Sequence, residues 1–280
     1  MLRLTTIGLN GTSRSINNQR VIKSVIGLRF NSKKSKKDNQ QMDLSQIPIK
    51  SVGAIVDFYI PPPIFSSPIK SWANLILRRM GLFVINTYSV VKYKQDTKLK
   101  LKFYDWKEDA MQKFVKANKV FASGCNLPAS KRSDYIKMQL ENNTGSLVQK
   151  KLIERAKTFP ISGKLSWDLV KVVKSPKIVS FMVIPDGNNI ATFIQFVMKV
   201  RTKQKVSFND GTNNKETERV VDDYLVYTLN PYTDELVLVG TVFESDHLRN
   251  LQGETSQSMK LMNAFQDRCA DIFRSNPNKD

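Results

Sequence analysis

The residues of this 280-residue chain that could do chemistry are mainly basic, and the clearest group recurs at every second position. Because alternate residues of a β-strand project from the same face, this spacing predicts a row of positive charge along one strand. Such a row suits the phosphates of a polyanion, and it is equally typical of a strand face that meets only solvent. The four residues are Lys199, Arg201, Lys203 and Lys205.

Two further groups of basic residues extend this candidate phosphate-binding surface. In the first group the basic residues again occur at every second position and alternate with apolar residues. The second group lies in segments that are predicted to be helices. Contacts from such groups to backbone phosphates give affinity and position without reading a base sequence. The first group comprises Lys98, Lys100 and Lys102, and the second comprises Lys131, Arg132, Lys150, Lys151 and Arg155.

Catalytic chemistry finds little support in the sequence. A histidine-based triad or a zinc-histidine site would have to be built from His247 alone, because it is the single His. Cys125 and Cys269 occur in no Cys-x-x-Cys pattern. The acid pairs Asp222-Asp223 and Asp234-Glu235 are neighbours in predicted strands, so their side chains point to opposite faces. We therefore expect no catalytic residue, no metal site and no cofactor.

The charge balance points to a polyanionic partner. The chain carries 44 Lys and Arg against 25 Asp and Glu, which gives a formal net charge of +19. With 41% hydrophobic residues the chain should also bury a core, so the excess belongs to a folded protein rather than to a disordered basic tail. The candidate partners are nucleic acid and anionic lipid. The excess lies before residue 207, and residues 207–280 form an acidic last quarter.

The N-terminal residues have the composition of a targeting segment. No acid occurs before Asp38, while arginines are spread among Leu, Ile, Ser, Thr and Asn, as in mitochondrial transit peptides. We predict a mitochondrial transit peptide over residues 1–31; the alternative is a basic arm that binds RNA directly. Residues 32–71 are predicted to form a polar basic arm followed by a proline-rich extended connector.

The segments that must position these residues divide into helices and then strands. Helical periodicity predicts helices over 72–93, from Asp105 to a glycine cap at Gly124, from near Ser130 and from near Ser146. After these helices the apolar pattern alternates, which predicts β-runs joined by short turns and therefore antiparallel neighbours. The runs are 165–173, 177–184, 190–208, 219–229 and 235–244, and a last helix is predicted over 256–273.

Helices that precede a mostly antiparallel sheet define an α+β domain. We expect residues 72–250 to form this domain. Residues 251–280 are expected to add a C-terminal helix and a tail.

One predicted helix has the composition of a membrane-surface segment. Residues 69–91 are apolar in their second half, but Arg78 and Arg79 near the middle would make a membrane-spanning helix costly. The segment fits an interfacial anchor with its apolar side in lipid and its arginines on anionic headgroups. A helix packed on its own domain fits as well. The residues predicted to lie near a membrane are Trp72, Arg78, Arg79 and Phe83.

Six short stretches, in consistent order between residues 55 and 245, resemble one family. The stretches are Tyr59-Ile-Pro61, Asn74-Leu-Ile-Leu-Arg-Arg79, Trp167-Asp-Leu-Val-Lys171, Pro176-Lys-Ile-Val-Ser180, Arg219-Val-Val-Asp-Asp-Tyr224 and Leu238-Val-Gly-Thr-Val-Phe-Glu-Ser245. Through them the chain is similar to the Mba-type family of fungal mitochondrial inner-membrane ribosome receptors. That family shares a domain with the membrane adaptor of the presequence import motor and with an animal large-subunit mitoribosomal protein.

The resemblance implies both a fold and a role. The fold is an α+β domain whose curved, mostly antiparallel sheet packs on helices as a half-open cone, as in the C-terminal domain of the import-motor adaptor. The role is a ribosome receptor, attached peripherally to the matrix face of the inner membrane, near the tunnel exit of the large mitoribosomal subunit. It aligns that exit with the insertase of the oxidase-assembly family, so that mitochondrially encoded membrane proteins insert during translation. The stretches carry no short signature for ribosome contact, so the candidate site residues rest on charge spacing alone.

Three functions remain in competition at the level of the sequence. The leading hypothesis is the membrane-bound mitoribosome receptor, with ribosomal RNA, tunnel-exit proteins, the insertase and anionic lipid as partners. The second is a stoichiometric large-subunit mitoribosomal protein without a membrane role. The third is a small-molecule enzyme with a pocket inside the cone, for which Asp168 and Asp222 are the acids to consider.

Overall fold

A computed structural model describes residues 47–185, 191–210, 214–252 and 258–276. The predicted transit peptide and the first part of the predicted arm lie outside these residues. The described helices are α1 (Trp72–Thr97), α2 (Phe103–Cys125), α3 (Ala129–Leu140), α4 (Ser146–Thr158) and α5 (Met259–Ala270), with short 3-10 turns at Ile49–Ser51 and Ile69–Ser71. The strands are β1 (Lys164–Pro185), β2 (Ala191–Asn209), β3 (Asn214–Leu229) and β4 (Leu236–Val242).

The four strands form one open antiparallel sheet in the order β1-β2-β3-β4. Four of the five described helices precede the sheet in the chain, so the predicted α+β class with an antiparallel sheet is confirmed. The sheet buries both of its faces over part of its length, because helices α2 to α4 cover one side, and residues 49–60 together with α5 cover the other.

The first strand is longer than the sequence predicts. The runs 165–173 and 177–184 are one strand, and the expected turn at Ser175-Pro176 is a bulge. Lys174 pairs with Arg201 while Lys177 pairs with Lys199, so the extra residues of β1 are accommodated between these two pairs. A proline fits there because β1 is an edge strand, where a missing N–H removes no ladder bond on the open side.

Helix α2 corrects two predicted helix ends. It begins at Phe103, so Asp105 lies in its first turn and does not cap it. At the other end Gly124 is still inside the helix, which ends at Cys125. A Cβ on Gly124 would lie 2.8 Å from a side-chain carbon of Ile136 on α3. The glycine therefore permits close packing of α2 on α3 rather than a helix cap.

The inner core lies between the sheet and helices α2 to α4. The helix face predicted from a spacing of four and three residues contributes Trp106, Ala110, Phe114 and Ala117, all of them buried. The sheet contributes aromatic and aliphatic residues to the same core. The hydroxyl of Tyr227 donates a hydrogen bond to the carbonyl of Ala110 at 2.7 Å. Since the buried hydroxyl has this acceptor, the aromatic ring can be buried completely.

The outer core covers the opposite side of the sheet near β4. Here Phe58 and other residues of the predicted connector pack with Phe265 of α5 against Phe193 and Val226. The buried amide of Gln195 attaches this segment to β2. Its oxygen accepts the backbone N–H groups of residues 55 and 56 at 2.9 and 3.1 Å, and its nitrogen donates to the carbonyl of residue 53 at 2.7 Å. The first half of the predicted connector is thus part of the folded body.

Candidate polyanion-binding and membrane-facing surfaces

The predicted row of basic residues lies on strand β2 and is called the β2 row: Lys199, Arg201, Lys203 and Lys205. It lies on the outer face of the sheet, beyond the end of β4. Its four side chains are half-buried to exposed, and each one meets a carboxylate of β3. Glu216 is 2.7 Å from the ammonium of Lys205 and raises the pKa of that lysine, and Glu218 is 2.8 Å from the ammonium of Lys203. Asp222 lies 3.8 Å from Lys199 and 3.6 Å from Arg201. The neighbouring strand therefore neutralises much of the row.

The edge strand β1 adds three lysines that the sequence did not single out. Lys171, Lys174 and Lys177 pair directly with Lys203, Arg201 and Lys199, so they lie on the same face of the sheet. All three are exposed, and no ion pair joins them to a residue in the described part of the chain. Their spacing of three residues hid them, because a regular strand would send such residues to alternating faces. Only the bulges of β1 bring them together.

Arg132 is not part of any binding surface, which corrects its prediction. The residue is 1% exposed and its guanidinium is used entirely inside the protein. It donates to the carbonyls of Leu127 at 2.8 Å, of Ala156 at 2.8 Å, of Phe159 at 2.6 Å and of Pro160 at 3.3 Å. Three of these acceptors lie at or just after the end of α4, where backbone carbonyls have few partners within the helix.

The other helical cations differ in how available they are. Arg155 makes two hydrogen bonds to the carboxylate of Asp271, at 2.7 and 2.6 Å, which raise its pKa. Lys151 lies 2.8 Å from Asp267 of α5 and 3.6 Å from a carboxylate one turn along its own helix. Lys131 and Lys150 are exposed. Of the five residues in the cluster predicted on these helices, two therefore join α4 to the C-terminal segment through ion pairs, two are exposed and Arg132 is buried.

The group at residues 98–102 lies in the loop between α1 and α2 rather than on a strand. Lys98 adopts the left-handed conformation that ends α1, with φ of 56°. Lys100 is exposed, and Lys102 pairs with Asp234 at the turn between β3 and β4. The loop places these cations beside the end of the sheet where that turn lies.

The predicted membrane segment forms α1, but its two arginines face the protein. Arg78 donates to the backbone carbonyls of His247 and Leu248, and Arg79 donates to the carbonyl of Pro62 at 2.7 Å. The orientation predicted for both, toward headgroups, is therefore not observed. The indole N–H of Trp72 donates to a backbone carbonyl five residues earlier at 3.0 Å, whereas Phe83 is 71% exposed.

The acids considered for enzyme chemistry line neither of the two cavities described below. Asp168 is exposed and pairs in the sheet with Lys205, and Asp222 makes the ion pairs described above. The carboxyl with a shifted pKa is Asp223, on the helix side of β3, where burial raises its pKa to about 6. Gln204 donates to it at 3.0 Å and accepts the indole N–H of Trp167 at 3.1 Å.

Two shallow cavities of about 400 Å³ open on the surface. One lies along α2 and the other lies between α1, α2 and β1, and neither is lined by an acid. Across the four described ranges, no group of three or more His, Cys, Asp or Glu residues is placed to hold a metal ion. Among the same residues, no helix has the length and apolar content needed to cross a membrane.

An open charged sheet face and a helix with an exposed apolar side are features of a binding module. The family comparison is more specific, because the model of the MBA1-like protein family matches residues 38–278. The chain belongs to this family. It is 27% identical over 252 residues to the "Inner membrane mitoribosome receptor MBA1, mitochondrial" of Saccharomyces cerevisiae. The aligned region covers 87% of this chain and 85% of the yeast protein.

Proposed function

We propose that this protein is a mitoribosome receptor on the matrix face of the mitochondrial inner membrane. The observation that carries the proposal is the similarity over 87% of the chain to a protein named as an inner membrane mitoribosome receptor. The basic outer face of the sheet supports it, because ribosomal RNA is the polyanion that such a receptor meets.

The finer form of the proposal concerns what the receptor achieves. We infer that it holds the tunnel exit of the large mitoribosomal subunit next to the insertase of the oxidase-assembly family. Its partners would then be ribosomal RNA, tunnel-exit proteins, the insertase and anionic lipid of the inner membrane. Nascent membrane proteins would enter the bilayer as they leave the ribosome, and the receptor would act by position rather than by catalysis.

The three β1 lysines are the strongest candidates for the ribosomal contact. Lys171, Lys174 and Lys177 add positive charge to a face on which the β2 row already has carboxylate partners. Exposed cations without intramolecular partners release counterions when they bind phosphates, so they make binding strongly dependent on salt.

The first test compares two charge-matched variants in cosedimentation with purified mitoribosomes. Changing Lys171, Lys174 and Lys177 to Gln should weaken binding roughly tenfold at moderate salt and flatten its salt dependence. The control changes three exposed helical lysines, Lys116, Lys119 and Lys137, to Gln and removes the same charge. Equal loss in both variants would mean that net charge, rather than this face, governs binding.

The β2 row needs a separate variant, because its residues also hold β3. Changing Lys199, Arg201, Lys203 and Lys205 to Gln should weaken ribosome binding less than the β1 variant does. It leaves the β3 carboxylates without partners, so a small loss of stability is expected in a urea titration. A larger loss of ribosome binding than in the β1 variant would show that the β2 cations leave their carboxylates to bind RNA.

Fractionation separates the receptor from a structural ribosomal protein. Inner membranes stripped of ribosomes should retain the protein, and crosslinking in intact mitochondria should join it to both the large subunit and the insertase. If the protein leaves the membrane with the ribosomes, the stoichiometric ribosomal protein is the correct alternative.

A further inference from the structure

Helix α1 exposes an apolar stripe that no described element covers. Leu77, Met80 and Phe83 are 65%, 63% and 71% exposed, and Val84 and Tyr88 are exposed as well. These residues recur at spacings of three and four, so they form one side of the helix. With Ile76 and Val91 at its ends, the stripe is about 22 Å long at a rise of about 1.5 Å per residue.

The opposite side of α1 holds the helix on the protein. Leu75, Leu82 and Tyr93 are buried, and the hydrogen bonds of Arg78 and Arg79 lie on either flank of this buried side. Both arginines are therefore turned away from the stripe. Between positions 73 and 91 the exposed side carries no charged residue.

In the sequence around the stripe, every charged residue before Asp96 is basic, and Asp96 itself lies in the last turn of α1. No Asp or Glu occurs between Asp57 and Asp96, whereas Lys70 precedes the helix and Lys92 and Lys94 lie in its last turns. Phe65 and Ile69 continue the apolar surface before the helix, at 90% and 78% exposure. A charge-free apolar stripe with cations beyond its ends is complementary to a flat surface that is apolar inside and anionic outside.

We propose that this side of α1 lies in the interface of an anionic phospholipid bilayer. The stripe reaches the acyl boundary, the flanking lysines meet the phosphates, and the two arginines fix the helix on the domain instead of binding lipid. The inference rests on the proposed function for the identity of the membrane. It names the face and the residues through which the receptor is attached.

The test is flotation of the full chain with vesicles of defined composition. Vesicles of phosphatidylcholine alone are compared with vesicles of phosphatidylcholine and phosphatidylglycerol. The variant carries Leu77→Gln, Met80→Gln and Val84→Gln, which keep helix propensity and remove the apolar surface. Its partition onto the anionic vesicles should fall on the order of tenfold or more.

The matched control places the same change on exposed apolar residues elsewhere. Met138→Gln, Ile161→Gln and Met259→Gln remove similar exposed surface outside α1 and should leave partition within about twofold of the wild type. Both proteins keep the basic residues 1–46, which also attract anionic vesicles, so flotation is repeated at high salt. Screening removes that contribution and leaves the binding due to the stripe.

A local probe distinguishes insertion from simple adsorption. Cys125 and Cys269 are buried, so an environment-sensitive dye can be attached to a single cysteine in Met80→Cys or, as the control, in Met138→Cys. Anionic vesicles should shift the emission of the dye at position 80 to the blue and leave the dye at position 138 unchanged. Equal responses at both positions would overturn the inference.

Ribosome binding without vesicles separates this inference from the proposed function. The α1 variant should bind mitoribosomes as the wild type does. If it floats normally but fails to bind ribosomes, the stripe is a docking site for a protein and the membrane inference is overturned. If the wild type binds vesicles through α1 but binds no ribosome, the membrane face stands and the proposed receptor function fails.

Discussion

At the scale of single residues, burial decides which cations are available to a partner. Arg132 and Lys131 are neighbours in the sequence, yet the first is buried among backbone carbonyls and the second is exposed. An arginine suits the buried position because its planar guanidinium can donate in several directions at once. Residue type alone placed both in the same predicted cluster, since charge spacing carries no information about burial.

This difference in burial predicts that the same change to Met has a large effect on stability at Arg132 and almost none at Lys131. Arg132→Met should lower the free energy of unfolding by about 2–4 kcal/mol, because four backbone carbonyls lose the donor that the buried guanidinium supplies. Lys131→Met should change it by less than about 0.5 kcal/mol. Urea unfolding followed by tryptophan fluorescence measures both, and equal stabilities would contradict the assigned role of Arg132.

Asp223 provides the second residue-scale prediction, which concerns pH. Burial raises its pKa from 3.8 to about 6, so the folded protein takes up this proton more readily than the unfolded chain does. Stability from this group is therefore present at low pH and is lost as the pH rises from about 4 through 6. Asp223→Asn should stabilise the protein by roughly 1–3 kcal/mol at pH 7.5, because the amide oxygen still accepts from Gln204 and no charge is buried.

The pH dependence of that gain is what makes it diagnostic. The difference between Asp223→Asn and the wild type should shrink as the pH falls from 6 to 4, and it should vanish below the unfolded pKa of 3.8, where the carboxyl is protonated in both states. Asp222→Asn is the control, because Asp222 is exposed and pairs with cations of β2. A gain from Asp223→Asn that is the same at both ends of the pH range would show that the carboxyl is not titrating in this window.

At the scale of elements, the close contact between β4 and α5 depends on one glycine. Gly240 has a φ of +157°, and a Cβ there would lie 2.4 Å from the carbonyl oxygen of Cys269. Because that neighbour is backbone, it has little freedom to move aside. The position belongs to one of the stretches that carried the family resemblance, and packing explains why a glycine stands there.

Gly240→Ala should therefore cost about 3 kcal/mol or more of unfolding free energy and loosen α5 from the sheet. Gly53→Ala is the matched control. Its new Cβ would meet side-chain ends of Leu147 and Gln266 at 3.1 and 3.2 Å, which can shift by a few tenths of an ångström. Hydrogen exchange of the α5 amides in the two variants measures the effect, and equal protection would argue against the contact.

Elements were predictable from sequence where one periodicity decided them. The apolar face of α2 follows from a spacing of four and three residues, and the hairpins follow from short turns between alternating runs. The same rules predicted two strands where the structure has the single strand β1. Ser175-Pro176 is typical of a turn, and nothing in the local sequence shows that the strand lies at the edge of the sheet. The register of β2 against β3 is also invisible locally, so the carboxylates opposite the β2 row were missed.

For the whole molecule, the order of charges along the chain differs from their arrangement in space. The last quarter of the sequence, residues 207–280, is acidic. In the fold its carboxylates interleave with earlier cations: Glu216 meets Lys205, and Asp271 meets Arg155. The surface available to a polyanion is therefore smaller than the net charge indicates, and its location depends on long-range pairing that composition does not encode.

Hydrogen bonds between a residue near the start of the described chain and one just after β4 determine when this part of the domain can fold during synthesis. Ile60 and Ser245, which are 185 residues apart, exchange hydrogen bonds through the backbone and the serine hydroxyl at 2.8 and 3.0 Å. A chain that is made from its N-terminus must wait for the second partner, and at about 5–20 residues per second this delay is roughly 10–40 s. Until β2 has been made, Ile49, Val52 and Phe58 have no native surface to cover them, and the hydrogen bonds of Ile60 to Ser245 form later still.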